Sequence, residues 1–224
     1  MTDATAPARS GRQPAGTDPG RGRKSPDHRL SREKQKSDRR EKLLAAAAGL
    51  MAERGYLAVR LEDIGAVAGV SGPAIYRHFS GKEALLVELL VGVSTRLLNG
   101  ARQVVADAPD ALGALDALIE FHLDFALSEP DLIRIQDRDL ANLPLVAQRQ
   151  VRRAQRSYLE VWVGVLDVLT PQLAEDDARI MAHAVFGLLN STAHSIKSSG
   201  SRSPSRSRQV LRAMTRAALA VAPT

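Results

Sequence analysis

The groups best placed to do chemistry lie between residues 61 and 82. Ile75 and Phe79, four apart, can anchor one face of a short helix, which turns Tyr76, Arg77 and the positions around Gly72 and Pro73 outward. A phenol and a guanidinium on an exposed helix end can hydrogen-bond base edges or a phosphodiester, and a helix of this size fits the DNA major groove. The preceding segment, LEDIGAVA at residues 61–68, reads as two turns of helix with Leu61, Ile64 and Val67 or Ala68 on one face. Gly69-Val70-Ser71 breaks it. Gly69 takes positive φ at no steric cost, Ser71 is a helix N-cap, and Pro73 is tolerated in a first turn. Two short helices joined by a Gly-containing three-residue turn form the helix-turn-helix pattern.

Other chemistry-bearing groups fall later in the chain. Phe121, Phe125, Trp162 and Phe186 are four of only eight aromatics and sit on long helical stretches, as core or as the lining of an apolar ligand cavity. His122, Asn190 and His194 interrupt apolar runs and could orient a ligand, or be satisfied core or surface residues. Arg149, Arg152, Arg153 and Arg156 recur at i, i+3, i+4 and i+7 on one helical face. They form a solvated face paired with Asp131, Asp137 or Asp139, or a grip for a phosphate-bearing effector through bidentate contacts. The spacing of His183, His194 and Glu120 matches no close-range ligand pair, so neither metal nor cofactor is expected. No carboxylate pair, Ser/His/Asp set or phosphate loop has supporting context, and an enzyme is not expected.

The elements that must position these groups follow from composition and punctuation. The chain has 224 residues, room for one large domain or two small ones. Its lack of cysteine excludes a disulfide scaffold, Cys-ligated zinc and a cysteine nucleophile. No apolar run approaches the roughly 20 residues of a membrane span, and the first 16 residues lack the apolar core of a conventional signal peptide. Arg39-Arg40 before LLAAAAGLMA has a slight twin-arginine look, but Glu53-Arg54 cuts the run short; a cytoplasmic protein with no membrane partner is expected. The net charge of +6 is uneven: residues 1–42 hold 12 Lys/Arg against 6 Asp/Glu, and the remainder is neutral. Residues 1–36, rich in Pro, Gly, Ser and Arg, are expected to be a disordered basic arm able to track phosphates.

From Asp38, Leu43, Leu44, Ala47, Leu50 and Met51 recur at helical spacing, a helix of about 16 residues. Further helices are expected near residues 82–105, 110–128, 131–142, 144–169, 175–197 and 204–221, separated by Pro109, Pro130, Pro144, Pro171 and a Ser/Arg/Pro run at 198–208. That run is expected to be the loop before the last helix rather than an RNA-binding segment. The expected fold is all-α.

Residues 38–85 resemble the tetracycline-repressor (TetR) family of bacterial transcription regulators. The resemblance rests on Gly55-Tyr56, Asp63-Ile64, Ala68-Gly69-Val70-Ser71 and, above all, the string IYRHFSGKEAL at residues 75–85. It implies an N-terminal three-helix DNA-binding domain over residues 37–98 and a helical effector-binding and dimerisation domain over 99–224. It implies that Tyr76 touches a thymine methyl or a phosphate, that His78 touches a phosphate, that Lys82 clamps a phosphate, and that Phe79 is a structural plug. Ser71, Gly72, Pro73 and Ala74 fall on the DNA-reading segment, with Arg39 and Arg40 beside it. Two departures stand out: Arg60 replaces the usual Thr or Ser cap, and Gly65 replaces the usual Ala. Gly72, Pro73 and Ala74 carry no side-chain donors, so direct readout must rest on Arg60, Tyr76, Arg77 and backbone or apolar contacts, with DNA shape contributing.

The segment IMAHAVFGLL at residues 180–189 is apolar nearly all round, as for a helix packed on its own core and on a second subunit. Ala184, Gly187, Leu188 and Ala193, with Met214 and Ala218 of the last helix, are the expected dimer interface. A dimer places two recognition helices roughly 34–36 Å apart, or a multiple of that. The resemblance implies a homodimer that leaves its operator when a small-molecule effector binds, more often a repressor. Residues 135–144 (IQDRDLANLP) are faintly similar to family members that respond to acyl-CoA esters. Ligand candidates are then Phe121, His122, Phe125, Trp162, Phe186, Asn190, Arg149 and Arg153. The competing readings are an architectural, nonspecific DNA-binding protein and, further off, a small helical enzyme.

Overall fold

The structure is a computed structural model that describes residues 1–2, 26–194 and 204–220, and only the backbone of 26–32, 72 and 204. Among the described residues all regular structure is helical: α1 (Pro26–Arg54), α2 (Leu61–Ala68), α3 (Gly72–Ile75), α4 (Lys82–Ala106), α5 (Ala111–Ser128), α6 (Pro130–Asp139), α7 (Leu145–Leu169), α8 (Glu175–Asn190) and α9 (Pro204–Leu219). Single 3-10 turns follow α6 at Leu140–Asn142 and α8 at Ser191–His194. The chain divides into two units, residues 1–37 and 38–224.

Two expectations change. Helix α1 starts at Pro26, not Asp38, so residues 26–36 are helical rather than disordered. Exposed Glu33, Lys34, Gln35 and Lys36 are strong helix formers that extend it without an apolar face. The rest of the expected arm, residues 3–25, lies outside the described residues, as do 195–203 of the Ser/Arg run. Second, α4 is long and apolar enough to cross a membrane, with mean hydropathy 1.4 in its most apolar window. Its apolarity serves packing, because it lies against α5 and α7 with Leu85, Leu86, Leu90 and Val93 buried. As the expected helix at 82–105 requires, α4 runs unbroken across the boundary expected at 98/99.

Two apolar cores result. One gathers Leu43, Met51, Ile64, Ile75, Phe79 and Leu85 from α1–α4, and takes in Ile135 of α6 and Val151 of α7. The C-terminal region thus completes the core beneath the helix-turn-helix. The other core surrounds Trp162 and joins α5, α7, α8 and α9. Helix α9 is pinned to α5 by an ion-pair ladder: Arg208 to Asp124 and Glu120, Arg212 to Glu120, and Arg216 to Asp116. The arginines after the Ser/Arg run are therefore spent within the chain.

Gly65 explains its own departure. A Cβ there would lie 2.3 Å from Ile75 Cδ1 and 2.8 Å from the Val70 carbonyl oxygen. Only glycine lets α2 and the recognition segment approach this closely. Gly65→Ala gains about 1 kcal/mol of helix propensity but overpacks by about 1–3 kcal/mol, so a net loss of about 1 kcal/mol is expected in urea unfolding. Adding Ile75→Val removes the nearest atom and should recover part of it. A Gly65→Ala protein as stable as the parent would contradict the packing account.

Candidate nucleic-acid interface and internal cavity

Gly69, at φ +67°, closes α2, and Val70 N–H reaches back to Gly65 O at 2.8 Å. The chain then enters α3, whose four residues continue as turns in which His78 and Phe79 N–H donate to Ile75 O at 2.8 and 3.0 Å. Ile75 and Phe79 are 1% and 4% exposed, and this anchoring leaves Tyr76 59% exposed, with Arg77, Ser71 and Pro73 also outward. Ala74 and His78 are half-buried. Arg60 and Arg39 are exposed, and Arg60 shares an open groove with Tyr76, Ser80 and Gly81. The Arg60 side chain has no acceptor to cap α2; the Asp63 carboxylate instead accepts the Arg60 N–H at 3.1 Å, half of a capping box.

Two of the expected DNA-contact side chains are engaged within the chain. Lys82 donates to the carbonyls of Tyr56, Leu57 and Val59 at 3.0, 3.1 and 3.0 Å, with its ammonium 4.6 Å from the Tyr56 ring centre. An ammonium has three hydrogens, and all three are used. Lys82 is a staple between α4 and the α1–α2 loop. Arg40 forks onto Glu88 of α4, donates to His78 O at 3.2 Å and lies 4.5 Å over Phe79. Its guanidinium fixes the base of the segment that follows α3.

A second staple ties α6 to the end of α1. Asp139, 3% exposed, accepts from Tyr56 N–H at 3.2 Å and from Arg138 at 3.0 Å. Arg138 also donates to Met51 O. The end of α1 is therefore held by α6 on one side and its following loop by Lys82 on the other.

Between α4, α5, α6, α7 and α8 lies a cavity of about 460 Å³, within the roughly 300–1,000 Å³ range of small-molecule sites. Of the expected ligand residues it takes His122, Phe125, Phe186 and Asn190. Trp162 is fully buried in the core behind them, in edge contact with Phe186. Phe121 turns to Gly100, whose missing Cβ makes room for the ring. Arg149 and Arg153 do not line the cavity; exposed Arg152 and Arg156 do, at its rim with Asp137 and His183. The helical face of four arginines is real, but only two of its members reach the opening. Its expected partners are engaged elsewhere: Asp131 with Arg134, Asp137 with His194, Asp139 with Arg138. No described carboxylate lies within 4.0 Å of Arg152 or Arg156.

Tyr158 was not singled out in the sequence, yet it organises the cavity. Asn190 Oδ1 accepts from His122 Nε2–H at 3.0 Å, and His122 Nδ1 accepts from the Tyr158 hydroxyl at 2.9 Å. Its signal was position: it precedes Trp162 by one helical turn and so shares its inward face. Burial pushes the His122 pKa down to about 4 and raises that of Tyr158. Between its unfolded value near 6.5 and about 4, the unfolded chain binds a proton that the folded chain refuses. Stability is complete above that window and falls as pH drops through it, by about 3 kcal/mol for this group. His122→Gln is expected to show that much less acid loss between pH 7 and pH 4 in thermal unfolding. Equal losses would contradict burial of a neutral imidazole.

The expected dimer face is exposed on α8 at Ala184 and Gly187, beside Ile180 at 66%, and on α9 at Met214 (49%) and Ala218; Leu188 is half-buried. Ala193 is corrected: it is fully buried against Ala126 and Ile133, inside its own chain.

A helix-turn-helix resting on a helical domain with an internal cavity defines the class. Comparison with known proteins then gives the family. The description "Bacterial regulatory proteins, tetR family" matches residues 43–89, and "Tetracyclin repressor-like, C-terminal domain" matches residues 109–221. The chain belongs to the TetR family. It is 32% identical over 135 residues to the HTH-type transcriptional repressor KstR2 of Rhodococcus jostii, a match covering 59% of this chain and 65% of that protein. A TetR-family regulator from Bordetella parapertussis superposes with TM-score 0.70 at 24% identity, covering 79% of this chain and 93% of the other. FadR of Bacillus subtilis in complex with stearoyl-CoA superposes with TM-score 0.60 at 19% identity, covering 80% and 95%. These two likenesses concern the fold.

Proposed function

We propose that this chain is a homodimeric, cytoplasmic repressor of transcription that grips a pseudo-palindromic operator through Tyr76 and Arg77, with Arg60 beside them. It releases the operator when an amphipathic anion, an acyl-coenzyme A ester, fills the cavity. The observation that carries this reading is the cavity itself: Leu97, Phe125, Ile133, Leu159 and Phe186 give it an apolar wall, and two guanidinium groups without an ion-pair partner among the described residues, Arg152 and Arg156, stand at the rim. Guanidinium pairs recognise phosphates bidentately, and a volume near 460 Å³ takes an acyl group but leaves the nucleotide outside, where the arginines lie. The names of the relatives, a repressor and a stearoyl-CoA complex, agree with it. The exposed apolar faces of α8 and α9 supply the dimer contact, and the basic N-terminal region adds phosphate neutralisation.

Gel-shift titration with the DNA upstream of its own gene tests the reading. Acyl-CoA esters are expected to release the complex from wild type and to do so far less well from Arg152→Ala/Arg156→Ala. No release, together with no calorimetric heat, would refute the effector class. Equal affinity for upstream and random DNA would favour architectural binding instead.

A further inference from the structure

The proposed effector reading leaves the closed end of the cavity unexplained. A site for plain hydrocarbon has no use for a buried imidazole, phenol and amide in sequence. His122 (α5) and Tyr158 (α7) are both almost fully buried, and His122 stacks on Phe186 at 5.3 Å with Phe125 edge-on at 5.9 Å. Both imidazole nitrogens are used, one toward Tyr158 and one toward Asn190 on α8. What remains is the Asn190 amide N–H pair, for which no described residue provides an acceptor. Asn190 and Tyr158 line the cavity.

We infer that this inner end recognises an oxygen function, a ketone or hydroxyl, on the hydrocarbon body of the ligand, with the Asn190 amide as donor. The inference rests on the cavity being the effector site. A saturated acyl group would strip water from the amide and return nothing, whereas a ligand oxygen restores the lost hydrogen bond. The His122 bond fixes the amide plane, so the donor is already oriented when the ligand arrives. The ligand class narrows from acyl-CoA esters in general to those of oxygenated, compact acids.

The test is calorimetric titration of the full chain with two matched probes, cyclohexanecarboxyl-CoA and 4-oxocyclohexanecarboxyl-CoA. The oxo ester is expected to bind about 10- to 100-fold tighter. Asn190→Leu should erase the preference while leaving affinity for the saturated ester equal or improved, with unchanged circular dichroism and operator affinity. Asn190→Asp, which keeps the acceptor for His122 but has no amide hydrogens, should erase it as well and serves if the leucine variant does not fold. Equal affinities in wild type, or a preference that survives both variants, would overturn the inference while leaving the effector reading intact. Binding of neither ester would overturn both.

Discussion

Alanine at both Tyr76 and Arg77 is expected to lower operator affinity about a thousandfold while leaving the far-UV spectrum and thermal midpoint unchanged. Both side chains are exposed and make no contact that the core needs, so truncation costs the fold little. Each base or phosphate contact is worth about 1–3 kcal/mol, and a dimer presents four such groups. Nonspecific affinity, which depends on phosphate neutralisation, should persist with its salt dependence reduced. An operator affinity unchanged in this variant would show that the reading surface lies elsewhere.

Asp139→Ala is expected to be among the most damaging single changes, at about 3 kcal/mol, or a fall of about 6–12 °C in the thermal midpoint. Its carboxylate is buried and accepts from the Tyr56 backbone and the Arg138 guanidinium together. Removing it leaves the Tyr56 backbone N–H without an acceptor and takes from Arg138 the carboxylate that orients its guanidinium toward the Met51 carbonyl. By contrast, Arg216→Ala, which breaks the half-exposed pair with Asp116, should cost under about 1 kcal/mol. Helix α6 carries Ile133, Gln136 and Asp137 on the cavity wall and Arg138 and Asp139 on the clamp. Residues that line the cavity and residues that hold the helix-turn-helix thus share one ten-residue helix. Equal midpoints for wild type and Asp139→Ala would remove the clamp from this account.

What was legible in the sequence was local. Ile75 and Phe79 at helical spacing, Gly69 in the turn and Asp63-Ile64 place α2 and the recognition segment correctly, because short-range periodicity and positive φ decide them. Proline and glycine punctuation locates α4 to α7, and the starts of α8 and α9, within a few residues of those observed, whereas α8 gives way at Asn190 to a 3-10 turn, seven residues before the expected end at 197. The fates of Arg40 and Lys82 were not legible, since their partners lie 23 to 48 residues away and include backbone carbonyls that no side-chain motif records. Which arginines of the α7 face reach the cavity depends on how that helix is rotated against α4 and α6. Gly65, an apparent defect in a helix, becomes intelligible only when Ile75 is seen to occupy the space of its missing methyl.

The most direct test of sequence-specific regulation is fluorescence anisotropy of the full chain on its own upstream DNA and on a shuffled duplex of equal length and base composition, at one salt concentration near 0.15 M. The account predicts a preference of at least about a thousandfold for the upstream duplex, lost in the Tyr76→Ala/Arg77→Ala protein. Equal affinity of the wild-type protein for the two duplexes would contradict it.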